Sequence, residues 1–97
     1  MARVELAEQV SADLERILDY MIGQKIPGAA SRIEELMHAI SVLEHSPLIG
    51  RPGKGDKREL VIGKRTQGYV ALYRYVAEID MVFVLSVRSQ REAGFSR

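Results

Sequence analysis

Residues 68–91, GYVALYRYVAEIDMVFVLSVRSQR, decide the fold. Tyr69 to Val76 and Met81 to Val87 are rich in aromatic and β-branched residues, which suit the pleated, half-buried surface of a sheet. Between them, Ala77-Glu78-Ile79-Asp80 has the length of a hairpin connection. The stretch predicts two long antiparallel strands. Strand side chains alternate between faces. Met81, Phe83, Leu85 and Val87 are therefore expected on one face, with Val82, Val84, Ser86 and Arg88 on the other. The first set is uniformly apolar and is expected beneath helices. The second is apolar in its middle and polar at its end, as suits partial exposure or a partner.

Upstream, Lys57 to Ile62 alternates, with Arg58, Leu60 and Ile62 on one side and Glu59 and Val61 on the other, and predicts a third strand. GKRTQG (63–68) is a basic turn leading into Tyr69. SPLIGRPGKGD (46–56) holds two prolines and three glycines and is a loop. It lacks the GxxxxGK[ST] spacing of a phosphate-cradling loop and does not run from a strand into a helix. Further back the period is helical. Val10, Leu14, Ile17, Leu18 and Met21 predict a helix over about 7–22, with Asp13 among its solvent-facing residues and Gly23 as terminator. Ile33, Leu36, Met37, Ile40 and Leu43 predict a second helix over about 28–45. The short link through Pro27 makes the two an antiparallel pair. Arg3 to Leu6 reads as a short edge strand, and residues 88–97 as a polar tail.

The order is thus β-α-α-β-β-β: one α+β domain over 1–97, a helical hairpin packed on a small antiparallel sheet. A chain of 97 residues holds one core. It has no cysteine, which excludes disulfides, thiol nucleophiles and Cys-based metal sites, and His38 and His45 are too few for a His-rich site. No metal or cofactor is expected. No apolar run approaches the ~20 residues that span a bilayer. With no signal-peptide core at the start, a cytoplasmic protein without membrane partners is expected. The net charge of +1 conceals a polarity. Residues 1–48 carry four basic side chains against eight acidic, and residues 49–97 carry ten against five. The basic half coincides with the predicted sheet and could draw in a polyanion or an acidic protein segment.

Taken in order, ADLERILDYM, AASRIEELMHAISVLEHSP, GRPGKGDKREL and GYVALYRYVAEIDMVFVLSVRSQR resemble the RelE/ParE superfamily of toxins from type II toxin–antitoxin (plasmid stabilisation) systems. The resemblance covers nearly the whole chain. It implies a cognate antitoxin and one of two activities. RelE-like members are ribosome-dependent, metal-independent mRNA endoribonucleases (mRNA interferases). ParE-like members bind DNA gyrase. RelE-like members place an arginine after the tyrosine of the GYR strand, where this chain has Val70, and a tyrosine near the C-terminus, where it has Phe95. Gln90 stands at another arginine position. YVALYRY and VRSQRE resemble the ParE-like strands more closely, with Ser89 at a histidine position and Arg91 retained. The resemblance therefore implies a gyrase-binding toxin, with the ribosome and its mRNA as the alternative target.

Metal-free RNA cleavage needs a base for the 2′-hydroxyl, cations around the phosphorane-like transition state and an acid for the leaving oxygen. Arg58, Lys64, Arg65, Arg74, Arg88 and Arg91 are the candidate cations, and Tyr69, Tyr73 and Tyr75 the candidate hydroxyls. Arginine clamps phosphate well but stays protonated and is a poor base. Binding asks less: apolar anchors and matching charge. Arg74, Arg88, Arg91, Tyr69 and Tyr73 are the expected target contacts, since Tyr and Arg are favoured at hot spots. Ile17, Met21, Ile33 and Met37 are the expected antitoxin groove along the helices, with ordinary core packing as the competing reading.

Overall fold

The computed structural model describes residues 1–63 and 68–90. Strand β1 (Arg3–Leu6) leads into helix α1 (Glu8–Gly23), then helix α2 (Ala29–Ser41) and a 3₁₀ turn over Val42–Glu44. Strands β2 (Arg51–Pro52), β3 (Lys57–Ile62), β4 (Tyr69–Val76) and β5 (Met81–Ser89) follow. The sheet order is β1-β5-β4-β3-β2. β2 to β5 are antiparallel, whereas β1 joins the outer edge of β5 in parallel, from Arg3 beside Met81 to Leu6 beside Val84. The sheet is therefore mixed rather than purely antiparallel. Running parallel requires a crossover, and α1 with α2 supplies it. β2 is a two-residue strand inside the glycine-rich loop.

Helix α1 begins at Ala7 without a side-chain cap. It ends where Lys25 takes a left-handed φ of 56°. There Gln24 N–H donates to the Tyr20 carbonyl and Ile26 N–H to that of Met21. The terminator is thus Lys25 and not Gly23, with Pro27 stopping any continuation. Val10, Asp13, Ile17 and Met21 form the buried stripe of α1, at spacings that keep one face turned to the sheet. Asp13 therefore lies in the core face, contrary to expectation.

The core joins Val10, Ile17 and Met21 to Leu36 and Ile40 of α2, Leu43, and Ala71, Tyr73, Val82, Val84 and Val87 of the sheet. Here the expected parity of β5 reverses. Val82 and Val84 are fully buried beneath the helices, while Met81, Phe83 and Leu85 are only partly covered. The cause is a β-bulge. Tyr73 pairs with Val84 but Leu72 pairs with Ser86, so Leu85 is an extra residue on β5. Past the bulge the alternation is offset by one, which returns Val87 to the core. Among the described residues no helix is long and apolar enough to cross a membrane.

Candidate functional site

Both helices pack on one face of the sheet, and among the described residues no helix covers the other, open face, although Val70 on it is buried. Paired residues in a ladder share a face, so the register assigns each side chain. Arg74 pairs with Phe83 and with Lys57, and Phe83 pairs with Glu5. One row across the open face therefore reads Glu5, Phe83, Arg74, Lys57. Arg88 lies opposite Val70, the third pair past the bulge, on the same face as Arg74. Both arginines are exposed. Met81, Phe83 and Leu85 form an apolar floor in a shallow concavity walled by Arg74 and Glu5.

The acids on this face hold several of its cations. Arg74 pairs with Asp56 at 3.1 Å, and Arg51 donates to Glu59 at 2.8 Å. Both pairs are exposed, so each contributes little to stability and remains open to exchange for a partner's charge.

Of the residues singled out from the sequence, Arg74 and Arg88 share the open face, four residues apart along β4 in register. Arg65 and Arg91, with Lys64 and Phe95, lie outside the described residues. Arg58 does not join the two arginines. It sits on the helix side of β3 and donates to the carbonyls of Leu48 and Gly50, at 3.3 and 2.8 Å, holding the 46–56 loop.

Tyr73 is wholly buried on the helix side, where its hydroxyl accepts from Gly50 N–H at 2.8 Å. Tyr69 also faces the helices, its hydroxyl 3.8 Å from the Met21 sulfur. Neither ring is presented on the open face. Tyr75 shares their parity and donates its hydroxyl to Asp80 at 2.6 Å. That bond, with minor contributions from burial and from the Asp80 charge, raises the Tyr75 phenol above its ordinary value.

Ile17 and Met21 are buried core residues, and Ile33 and Met37 pack against the same core. Along these positions the inter-helix groove is filled by the protein itself. The sequence reading missed Asp13. The signal lay in its spacing, three residues after Val10 and four before Ile17.

These placements accompany a chain-wide similarity. The model of the ParE toxin of the type II toxin–antitoxin system parDE matches residues 4–94. The chain belongs to the ParE toxin family. It is thus a toxin of a type II toxin–antitoxin system, with the α+β fold of the RelE/ParE superfamily. A chain of the chromosomal ParDE system from P. aeruginosa superposes on this ParE-family fold with a TM-score of 0.74 at 18% identity, covering 92% of this chain and 96% of that one. An arginine-substituted E. coli RelE in its free state gives 0.64 at 21% identity, covering 99% and 92%. A chain of the intact E. coli RelBE complex gives 0.62 at 21% identity, covering 92% and 96%. At these identities the structural likeness is one of fold. No curated protein matches the sequence.

Proposed function

We propose that this ParE-family toxin acts by binding a protein target, DNA gyrase, through the open face of its sheet, and that a cognate antitoxin neutralises it. One observation carries the choice of binding over RNA cleavage. All four tyrosines and both histidines lie within the described residues, and none is on the open face. Tyr69, Tyr73 and Tyr75 face the helix side by register. Tyr20 is on α1, and His38 and His45 are on or just beyond α2. The open face offers an apolar floor of Phe83, Leu85 and Met81 beside Arg74 and Glu5, with Arg88 farther along the same face. Aromatic and arginine anchors around a desolvated floor suit a protein interface. Among the described residues this face presents neither a tyrosine nor a histidine for proton transfer to and from a ribose and a leaving oxygen, and its carboxylates Glu5 and Glu59 stand beside Arg3 and Arg51.

Two assays run side by side test the proposal. The protein is expected to inhibit supercoiling by purified gyrase and to leave mRNA intact in a translating extract. Cleaved message with unaffected gyrase defeats it. The antitoxin is expected to be encoded beside this toxin and to restore supercoiling when added.

A further inference from the structure

The buried carboxylate of Asp13 has no role in the reading above, yet it touches the strand that carries Arg88. Asp13 is 3% exposed. Its Oδ2 accepts from the Val87 backbone N–H at 2.9 Å. Its Oδ1 accepts from Gln9 Nε2 at 3.0 Å and lies 3.6 Å from Arg16 Nη2. Arg16 Nη2 in turn reaches the Val87 carbonyl at 3.5 Å. One face of α1 thus takes up both the N–H and the C=O of Val87.

The location explains the arrangement. β1 accompanies β5 only as far as Val84, where Ala7 N–H donates to the Val84 carbonyl. Beyond that point, among the described residues, the outer edge of β5 has no neighbouring strand. The bulge at Leu85 lies in the same interval. An edge N–H beneath a helix is costly if left without an acceptor. The strand past the bulge therefore lacks an outer neighbour, and Asp13 supplies the acceptor that Val87 N–H would have found in one.

The bulge also decides where Arg88 points. In an unbroken alternation from Phe83, Val87 would join the open face and Arg88 the helix side, because a one-residue slip inverts every side chain. We infer that Asp13 is a positioning residue. By holding Val87 against α1 it fixes β5 past the bulge and keeps Arg88 on the face that carries Arg74. Its functional meaning rests on the open face being the target-binding surface.

Amide hydrogen exchange, followed by NMR on the whole chain, tests the placement without any target. In Asp13→Ala, Val87 N–H is expected to exchange faster by about tenfold or more, with Val82 and Val84, ahead of the bulge, unchanged. Asp13→Asn keeps one acceptor oxygen and is expected to fall between Asp13→Ala and the wild type, which guards against a variant that fails to fold. Unchanged exchange at Val87, or equal acceleration at all three amides, overturns the inference. A double-mutant cycle on gyrase binding reads the consequence. Arg88→Ala is expected to weaken binding in the wild type and to have a reduced effect alongside Asp13→Asn, whereas Arg74→Ala keeps its full effect in both. Full, additive Arg88 and Arg74 effects alongside Asp13→Asn overturn the positioning role. If gyrase does not bind at all, the target reading fails and the exchange result still decides for or against Asp13.

Discussion

The contact between Tyr73 and Gly50 gives the sharpest quantitative test of the fold beneath the site. The Tyr73 side chain is fully buried, and its hydroxyl is the acceptor for Gly50 N–H at 2.8 Å. Tyr73→Phe keeps the ring and removes only the acceptor. A buried N–H is then left unpaired, which costs about 1–3 kcal/mol. In a domain of this size each kcal/mol moves Tm by roughly 4–8 °C. The variant is therefore expected to melt at least about 4 °C below wild type.

Gly50→Ala attacks the same contact from the other side. A Cβ at Gly50 would sit 2.6 Å from the Tyr73 hydroxyl oxygen, 2.7 Å from its Cε1 and 2.9 Å from the Glu59 carbonyl oxygen. The ring is enclosed and the carbonyl is backbone, so neither yields easily. Overpacking of this kind costs about 1–3 kcal/mol. In the double variant only the hydroxyl clash disappears, while Cε1 and the Glu59 oxygen remain. The cost of Gly50→Ala is expected to shrink in the Tyr73→Phe background without vanishing. Thermal and urea unfolding of the four proteins measure this. Tyr73→Phe within about 0.5 kcal/mol of wild type would refute the reasoning, because it would mean that Gly50 N–H finds another partner.

Arg58→Ala is expected to destabilise by about 1.5–3 kcal/mol, since the guanidinium holds the loop carbonyls of Leu48 and Gly50; urea unfolding checks this. Arg74→Ala, by contrast, removes only an exposed pair with Asp56. Its stability is expected to stay within about 1 kcal/mol of wild type, while growth inhibition on expression falls. Tyr75 gives an alkaline signature. Its phenol is raised above 10.0 in the folded protein by the bond to Asp80. The folded state therefore holds that proton more tightly than the unfolded chain does. The contribution to stability is complete below pH 10.0 and is lost as pH rises through the raised value. Tyr75→Phe is expected to flatten this part of the stability–pH curve, and Asp80→Asn to lower the Tyr75 transition, identified in ultraviolet absorbance by its loss in Tyr75→Phe.

The architecture was legible in the sequence because its elements rest on local pattern. Apolar spacing marked α1 and α2, and alternation marked β3 to β5. What stayed hidden is non-local. The bulge at Leu85 carries no glycine, and the adjacent Ser86 is only a weak signal for it. Its support at Val87 comes from Asp13, 74 residues earlier in the chain. Strict alternation therefore assigned Met81 and Phe83 to the core and Val82 and Val84 to the outside, the reverse of what the fold contains. The same register turns the tyrosines of β4 inward. Residue type suggested Tyr69 and Tyr73 as contacts, but a tyrosine beneath helices serves packing equally well once its hydroxyl finds a partner. Arg58 illustrates the matching ambiguity for a cation. Nothing local distinguishes an arginine that grips loop carbonyls from one that faces a target.

That ambiguity bears on what the open face can hold. The ten basic residues of the C-terminal half suggest a strongly cationic surface, but among the described residues Arg51, Arg58 and Arg74 already have partners within the chain. Arg58 is turned to carbonyls, Arg51 is held by Glu59, Arg74 by Asp56, and Glu5 stands in the same row as Arg74 and Lys57. A nucleic-acid site that neutralises several phosphates shows a steep loss of affinity with salt, with a slope near −0.9 per phosphate contact. A protein interface built on Phe83, Leu85 and Met81 with a few exchangeable ion pairs does not. Target affinity is therefore expected to fall only a few-fold, about one decade at most, between 50 and 200 mM salt. A fall of three decades or more over that range, measured by titration calorimetry, would show that phosphate contacts dominate and would point back to a nucleic acid as the ligand of this face.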